Sequence, residues 1–105
     1  MSEVQWRSSG LPVTEAKDIT QSSLTLDADV VIVGSGAGGA VAGYELARRG
    51  KKVVILEAGP YVPSKDFTER FPDSLETLYQ DHGGQTNKSG DLLVLQGACV
   101  GGSTV

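Results

Sequence analysis

The order of apolar and polar positions predicts one βαβ unit near the centre of the chain. Residues 29–33 form a short β-branched run that ends in glycine, which is typical of a parallel strand covered on both faces. Residues 40–50 carry small side chains near helical spacing, which indicates a helix lying very close to a sheet. A second apolar run, residues 52–56, ends at Glu57. Strand, glycine turn, helix and strand together predict a βαβ unit from about residue 29 to 57.

The flanking regions have weaker patterns. Residues 1–28 are mostly polar without a sustained period and are predicted to be an N-terminal arm. Prolines interrupt residues 60–91, and the spacing of the Phe and Leu residues there predicts two short helices around Pro72. Residues 81–91 are rich in turn formers and predict a surface loop, and residues 92–96 predict a further strand.

A G-x-G-x-x-G motif lies between the first strand and the helix, at Gly34, Gly36 and Gly39. Gly34 permits a tight turn, and Gly36 lets a pyrophosphate approach the backbone. Gly39 lets the helix pack closely on the strand. The free N–H groups and the positive dipole end of the helix suit phosphate. A glycine-rich turn without a ligand is the alternative, but the strand-turn-helix context favours dinucleotide binding.

Two further features extend the predicted site. Glu57 follows the first glycine by about 20 residues, where an acid binds a ribose hydroxyl and repels the 2′-phosphate of NADP. A solvated strand-end glutamate is the alternative interpretation. Residues 97–104 form a second glycine-rich turn after a strand, which suggests another close backbone approach to a cofactor. A long dinucleotide such as FAD has more surface to hold there, whereas the alternative is a structural loop.

Composition excludes several classes of function. The net charge of −4 and the pI of about 4.8 provide no electrostatic basis for binding nucleic acid. One cysteine, Cys99, allows neither an internal disulfide nor a structural zinc site and favours a reducing compartment. Neither a secretion signal nor an apolar run long enough to span a bilayer is present, so we expect a cytoplasmic location. The sequon at Asn87 is interpreted as a coincidence of turn residues.

For two single residues we prefer a structural interpretation to a functional one. His82, the one histidine, is interpreted as a solvated loop residue rather than a base. Cys99 is interpreted as a small buried hydrophobe rather than a flavin contact. The chain ends in an apolar, glycine-rich stretch instead of a polar tail, so we expect it to be a truncated part of a longer protein.

The runs 29–39, 57–59 and 101–104 resemble the glucose–methanol–choline (GMC) oxidoreductase family. The resemblance implies FAD enzymes that oxidise alcohols, sugars or sterols at a CH–OH group. It also implies an α/β, three-layer, Rossmann-like FAD/NAD(P)-binding domain with a parallel sheet, of which residues 29–105 form an incomplete N-terminal part. The cofactor-binding residues that it implies are Gly34, Ser35, Gly36, Ala37, Gly39, Glu57, Ala58, Gly97, Val100, Gly101, Gly102 and Ser103.

This chain departs from the family pattern at Ala98, where members often carry a basic residue. The family's catalytic His–His or His–Asn pair lies far beyond Val105, so no catalytic residue is expected here. Some members attach the flavin covalently to a histidine, and for His82 we prefer the solvated loop residue to that alternative. Two alternatives stay open, an NAD-dependent dehydrogenase fragment and a non-catalytic dinucleotide-binding module. The expected partner of the whole enzyme is a small-molecule alcohol, and the 105 residues alone are expected to bind FAD weakly or not at all.

Overall fold

The computed structural model describes residues 13–105 and confirms the βαβ unit. Strand β1 (Val30–Val33) is followed by helix α1 (Ala37–Ala47) and strand β2 (Val53–Leu56). The two strands are parallel, with Val30 opposite Val53 and Val33 opposite Leu56. The predicted α/β class with a parallel sheet is therefore confirmed.

Helix α1 packs on one face of this sheet at Gly43, which is buried. A Cβ atom on Gly43 would lie 3.0 Å from Cδ1 of Ile55 and 3.5 Å from Cδ1 of Ile32. Glycine inside a helix costs about 1 kcal/mol relative to alanine, and this close approach to two isoleucines accounts for its presence. The helix ends before Gly50, whose φ of +81° is the left-handed conformation expected after a helix C-terminus.

The opposite face of the sheet is apolar and uncovered within residues 13–105. Val31, Val33 and Leu56 are 58%, 84% and 53% exposed. Parallel sheets are normally covered on both faces. The described residues therefore supply two of the three predicted layers, the sheet and one helix.

The prediction of two short helices around Pro72 is wrong. A single 3₁₀ turn, Ser64–Asp66, precedes one helix, α2 (Phe71–Leu78), and Pro72 lies in the first turn of that helix. Proline is tolerated there because the N–H that it lacks has no partner within the helix anyway. Pro72 thus lies near the start of one helix instead of separating two helices.

The predicted surface loop and the strand after it form a small β-hairpin. A 3₁₀ turn, Gln80–Gly83, leads into strand β3 (Gln85–Thr86), which pairs antiparallel with β4 (Leu93–Val94). The expectation of an irregular loop over residues 81–91 is therefore wrong in part, and the strand predicted over residues 92–96 is shortened to β4.

Residues 13–28 are mostly exposed and contain one 3₁₀ turn, Ala16–Asp18. Residues 1–12 of the predicted arm lie outside the described residues, so the division between arm and domain stays a prediction. Over residues 13–105, none of the helices combines the length and the apolar character needed to cross a membrane.

Candidate cofactor-binding site

Three segments meet at one edge of the β1–β2 sheet. They are the first glycine loop (residues 34–39), the acidic segment (residues 57–60) after β2, and the second glycine turn (residues 97–104). The first two follow the carboxyl ends of parallel strands, the edge at which ligands of open α/β sheets bind. The N–H of Gly101 donates to Ser35 Oγ at 3.0 Å, and the N–H of Val100 donates to the Pro60 carbonyl at 3.0 Å. All three predicted parts of the site are thus brought together.

The first glycine loop has the geometry that its motif requires. Gly34 has a φ of +93°, and its N–H donates to the Leu56 carbonyl at 2.7 Å. A Cβ atom on Gly39 would lie 1.9 Å from the carbonyl oxygen of Gly34, so this position accepts no side chain. The turning role of Gly34 and the packing role of Gly39 agree with this geometry.

The mouth of the first glycine loop is open. Gly36 precedes α1 as its N-cap, and a Cβ atom at Gly34, Gly36 or Gly38 would meet no other protein atom within 4 Å. Ala37, the first residue of α1, is exposed, and no acidic side chain lies in the first turn of the helix. The free N–H groups of a helix N-terminus, with open space beside them and no acidic side chain in the first turn of the helix, fit the pyrophosphate of a dinucleotide.

The carboxylate of Glu57 is oriented by three hydrogen bonds. Its Oε2 accepts from the N–H of Ser35 at 2.8 Å and from the Ser35 hydroxyl at 2.7 Å. Its Oε1 accepts from the N–H of Gly59 at 2.9 Å. A carboxylate has about four acceptor sites, so Oε1 retains room for one more donor, such as a ribose hydroxyl. Ala58 beside it is exposed.

The same hydrogen bonds determine the charge of Glu57. The hydroxyl of Ser35 is the largest cause that holds the pKa of this carboxyl below its usual value, followed by the N–H groups of Gly59 and Ser35. Glu57 is therefore ionised at neutral pH. That charge suits a hydroxyl donor and opposes a 2′-phosphate.

The second glycine turn makes the close backbone approach that the sequence predicts, but it approaches other backbone atoms of the protein. A Cβ atom on Gly97 would lie 2.3 Å from the carbonyl oxygen of Gly102, and one on Gly102 would lie 2.9 Å from Cα of Gly36. Gly101 has a φ of +98°, and Ser103 Oγ accepts from the N–H of Gly97 at 2.8 Å. The turn therefore packs directly against the first glycine loop.

Gly59 belongs to this junction, although the predicted site residues do not include it. A Cβ atom there would lie 2.4 Å from the carbonyl oxygen of Ala98 and 2.7 Å from Cα of Cys99. Its place in the run 57–59, which carries part of the family resemblance, is the sequence signal that points to it. Gly59 lets the acidic segment and the second glycine turn touch backbone to backbone.

Cys99 is buried and His82 is exposed, as the sequence predicted, while their relation to a flavin stays a prediction. Cys99 is only 2% exposed, and burial, followed by the charge of Glu57, raises the pKa of its thiol. His82 is exposed in the 3₁₀ turn that precedes β3, with a φ of +53°. Within residues 13–105, no group of three or more His, Cys, Asp or Glu side chains is placed to hold a metal ion.

Comparison with known proteins connects this geometry to a family. Residues 29–67, which include the first glycine loop, α1 and Glu57, match the family model described as "FAD binding domain". FAD is therefore the cofactor of this domain. No solved structure gives a significant match.

Several curated proteins are similar over most of the chain. The long-chain-alcohol oxidase FAO3 of Arabidopsis thaliana is 39% identical over 87 residues, which are 83% of this chain and 12% of that protein. The uncharacterized GMC-type oxidoreductase y4nJ of Sinorhizobium fredii is 39% identical over 85 residues, 79% of this chain and 17% of that protein. A cholesterol oxidase of Mycobacterium tuberculosis is 32% identical over 84 residues, 75% of this chain and 14% of that protein.

The chain spans only 12% of the length of the first of these relatives. The similarity covers the glycine motif and the acidic strand end, where the structure places an open loop beside an ionised carboxylate. On these grounds the chain belongs to the GMC-type oxidoreductases, of which it carries an FAD-binding segment.

Proposed function

We propose that the complete polypeptide is an FAD-dependent oxidoreductase that oxidises the CH–OH group of a small-molecule alcohol, and that this chain holds the FAD. The observation that carries the proposal is the junction of the open first glycine loop with the ionised Glu57. The names of two relatives support the substrate class, because long-chain alcohols and cholesterol both present a CH–OH group.

The residues of this chain bind and orient the cofactor. The N–H groups at the start of α1 donate to the pyrophosphate, and the absent side chain of Gly36 leaves room for it. Glu57 accepts from an adenosine ribose hydroxyl through Oε1. The second glycine turn lies against Gly36 and borders the same space. The proposed contacts come from Gly34, Ser35, Gly36, Ala37, Gly39, Glu57, Ala58, Gly97, Val100, Gly101, Gly102 and Ser103.

Bound FAD supplies the acceptor for the hydride that leaves the alcohol carbon. The part of this chain is to hold one end of the cofactor rigidly. Among residues 13–105 none is assigned a proton-transfer role, since His82 is exposed in the hairpin region and Cys99 is buried as a thiol. The base that accepts the hydroxyl proton is expected elsewhere in the complete polypeptide.

The test is to purify the complete polypeptide, remove its flavin and titrate it with FAD, FMN and NAD. Visible flavin absorbance and fluorescence quenching report binding, and we expect FAD to bind much more tightly than the others. Anaerobic addition of a long-chain primary alcohol or a sterol should then bleach the bound flavin. Preferred binding of NAD would establish a nicotinamide dehydrogenase. FAD binding without bleaching by any alcohol would establish a non-catalytic module.

A matched pair of variants locates the binding in this chain. Glu57→Gln removes the charge at the ribose position and is expected to weaken FAD binding about tenfold. Glu45→Gln removes a carboxylate from the exposed side of α1, where it pairs with Arg48 at 2.9 Å, and is expected to leave FAD affinity unchanged. Equal affinities of the two variants would contradict the ribose role of Glu57.

A further inference from the structure

Position 35 has no assigned role in the glycine motif, which assigns tasks only to the three glycines. Nevertheless Ser35 is the polar residue that is buried among residues 13–105, with 8% of its surface exposed. A buried hydroxyl is costly unless it is hydrogen-bonded. The partners of Ser35 therefore show what this side chain does.

The hydroxyl of Ser35 joins two segments that are distant in sequence. It donates to Glu57 Oε2 at 2.7 Å and accepts from the N–H of Gly101 at 3.0 Å. These partners lie 22 and 66 positions away along the chain. A hydroxyl has one donor and two acceptor sites, so one small side chain serves both partners at once. Alanine provides neither bond, whereas threonine carries a hydroxyl that is able to make both.

From this geometry we infer that Ser35 is the positioning residue of the cofactor site, because it holds the ribose-binding carboxylate and anchors the second glycine turn at the same time. The inference rests on the proposed function, since it assigns to Ser35 a role in binding FAD. Ser35 acts through Glu57 and Gly101.

Loss of this hydroxyl should alter the site more than the fold. Without it, Glu57 still accepts from the N–H groups of Ser35 and Gly59, but one of its three bonds is gone. The second glycine turn still bonds through Val100 to Pro60, so it stays near its place. We therefore expect the orientation of the Glu57 carboxylate and the distance between the two glycine segments to become less fixed.

The pH dependence of FAD binding separates this role from a merely structural one. The Ser35 hydroxyl is the largest cause of the lowered pKa of Glu57, so its removal lets Glu57 become protonated at higher pH. The segments packed around Glu57, residues 34–39, 57–60 and 97–104, contain one other titratable side chain, Cys99. Its raised pKa keeps the thiol neutral through the acidic range. A shift of the acidic limb between the wild type and Ser35→Ala therefore reports Glu57, because the titration of FAD itself is common to both.

The experiment measures the Kd for FAD of the complete polypeptide from neutral pH down to about pH 4, near the ordinary pKa of a glutamate. We expect Ser35→Ala to raise the Kd about tenfold at neutral pH, the value of about one hydrogen bond to a charged group. Its acidic limb should move to higher pH. Ser35→Thr should restore both properties, which a structural defect alone would not explain.

Ser74→Ala is the matched control, because it deletes a serine hydroxyl from α2 that, among residues 13–105, bonds to the carbonyls of Thr68 and Arg70, away from the glycine segments. It should bind FAD like the wild type. Should Ser35→Ala fail to fold, Ser35→Gly lacks the same hydroxyl and suits a glycine loop, so it takes the same place in the titration. A wild-type Kd in the hydroxyl-deleted variant, or a raised Kd with an unmoved acidic limb, overturns the inference.

The outcomes also separate this inference from the proposed function. If the wild type binds no FAD, both fail. If the wild type binds FAD and Ser35→Ala behaves like it, the proposed function stands and only the positioning role fails. In a double-mutant cycle with Glu57→Gln, the effect of Ser35→Ala should shrink, because its charged partner is already gone.

Discussion

The two glycine-rich segments of this chain are alike in composition and opposite in use. In the first glycine loop, a Cβ atom on Gly34 or Gly36 would meet no neighbouring protein atom within 4 Å. In the second glycine turn, one on Gly97 or Gly102 would lie 2.3 Å or 2.9 Å from backbone atoms. Glycine leaves space for a ligand in the first segment and space for the protein's own backbone in the second. What occupies the place of the missing side chain therefore distinguishes the two roles.

The base of the first glycine loop nevertheless resembles the second turn. Gly39 lies where α1 meets β1, and the carbonyl oxygen of Gly34 fills the space that its side chain would need. Three substitutions test this division between open and filled positions, and the pH dependence of stability follows them. They are ordered by their expected effect on the free energy of unfolding.

Gly39→Ala should have the largest effect. The new Cβ atom would lie 1.9 Å from a carbonyl oxygen in the same loop, so α1 must move away from β1. We expect a loss of about 3 kcal/mol or more in urea-induced unfolding of the complete polypeptide. Gly38→Ala is the control, since its Cβ atom meets nothing within 4 Å and gains up to about 1 kcal/mol of helix propensity. Similar unfolding of the two variants would contradict the packing role of Gly39.

Gly97→Ala should have the next largest effect, about 2 kcal/mol, because its Cβ atom meets the carbonyl of Gly102 at 2.3 Å. FAD affinity should fall in parallel, as the turn shifts away from Gly36. In the control Gly90→Ala, the side chain has open space and only the φ of +76° costs about 1 kcal/mol. If FAD affinity falls while the free energy of unfolding stays unchanged, the second glycine turn contacts the ligand directly instead.

Gly36→Ala should separate binding from stability. Its Cβ atom enters open space, so the free energy of unfolding should change by less than about 0.5 kcal/mol. The Kd for FAD should rise at least about tenfold, because the methyl group occupies the approach of the pyrophosphate. Isothermal calorimetry and urea unfolding on the same preparation measure both quantities. Unchanged FAD affinity would show that the ligand does not approach at Gly36.

The pH dependence of stability should show the smallest effect, on both sides of neutrality. The pKa of Glu57 is lowered in the folded protein, so its contribution is present above the usual value of 4.5 and is lost as the pH falls below it. The pKa of Cys99 is raised, so its contribution is present below 9.0 and is lost as the pH rises above that value. Thermal unfolding against pH should therefore show a plateau between the two limbs.

Two variants assign these limbs. Glu57→Gln should flatten the acidic limb, and Cys99→Ala should flatten the alkaline limb. An acidic limb that persists unchanged in Glu57→Gln would place the titrating group outside the junction of the two glycine segments. An alkaline limb that persists unchanged in Cys99→Ala would show that a group other than this thiol titrates there.

Sequence patterns predicted the first half of the fold better than the second. Residues 29–57 combine β-branched runs with a helical repeat of small residues, and each element is determined largely by its own residues. The hairpin has strands of only two residues each, held near α2 by the bond from the N–H of Gln80 to the carbonyl of Gln96. Strands this short carry no period that a sequence pattern can reveal.

Pro72 illustrates the same limit. A proline is compatible with the end of one helix or with the first turn of the next, and the local sequence allows both. The structure selects the first turn of α2, whose last residue, Leu78, is buried and accepts at its carbonyl from the N–H of Ala98. This contact spans twenty residues of chain, so it lies outside any local pattern around Pro72.

The sequence by itself determined the glycine loop, the strand that precedes it and the acid at the end of the next strand. It could do so because the carboxyl ends of neighbouring parallel strands necessarily share one edge of a sheet. Only the tertiary structure decided that the second glycine turn packs on the first and that Ser35 lies between Glu57 and Gly101. The contacts between the two glycine segments are made by backbone atoms, which are the same in every residue, and Ser35 meets Gly101 across 66 positions of chain, so no local residue pattern predicts them.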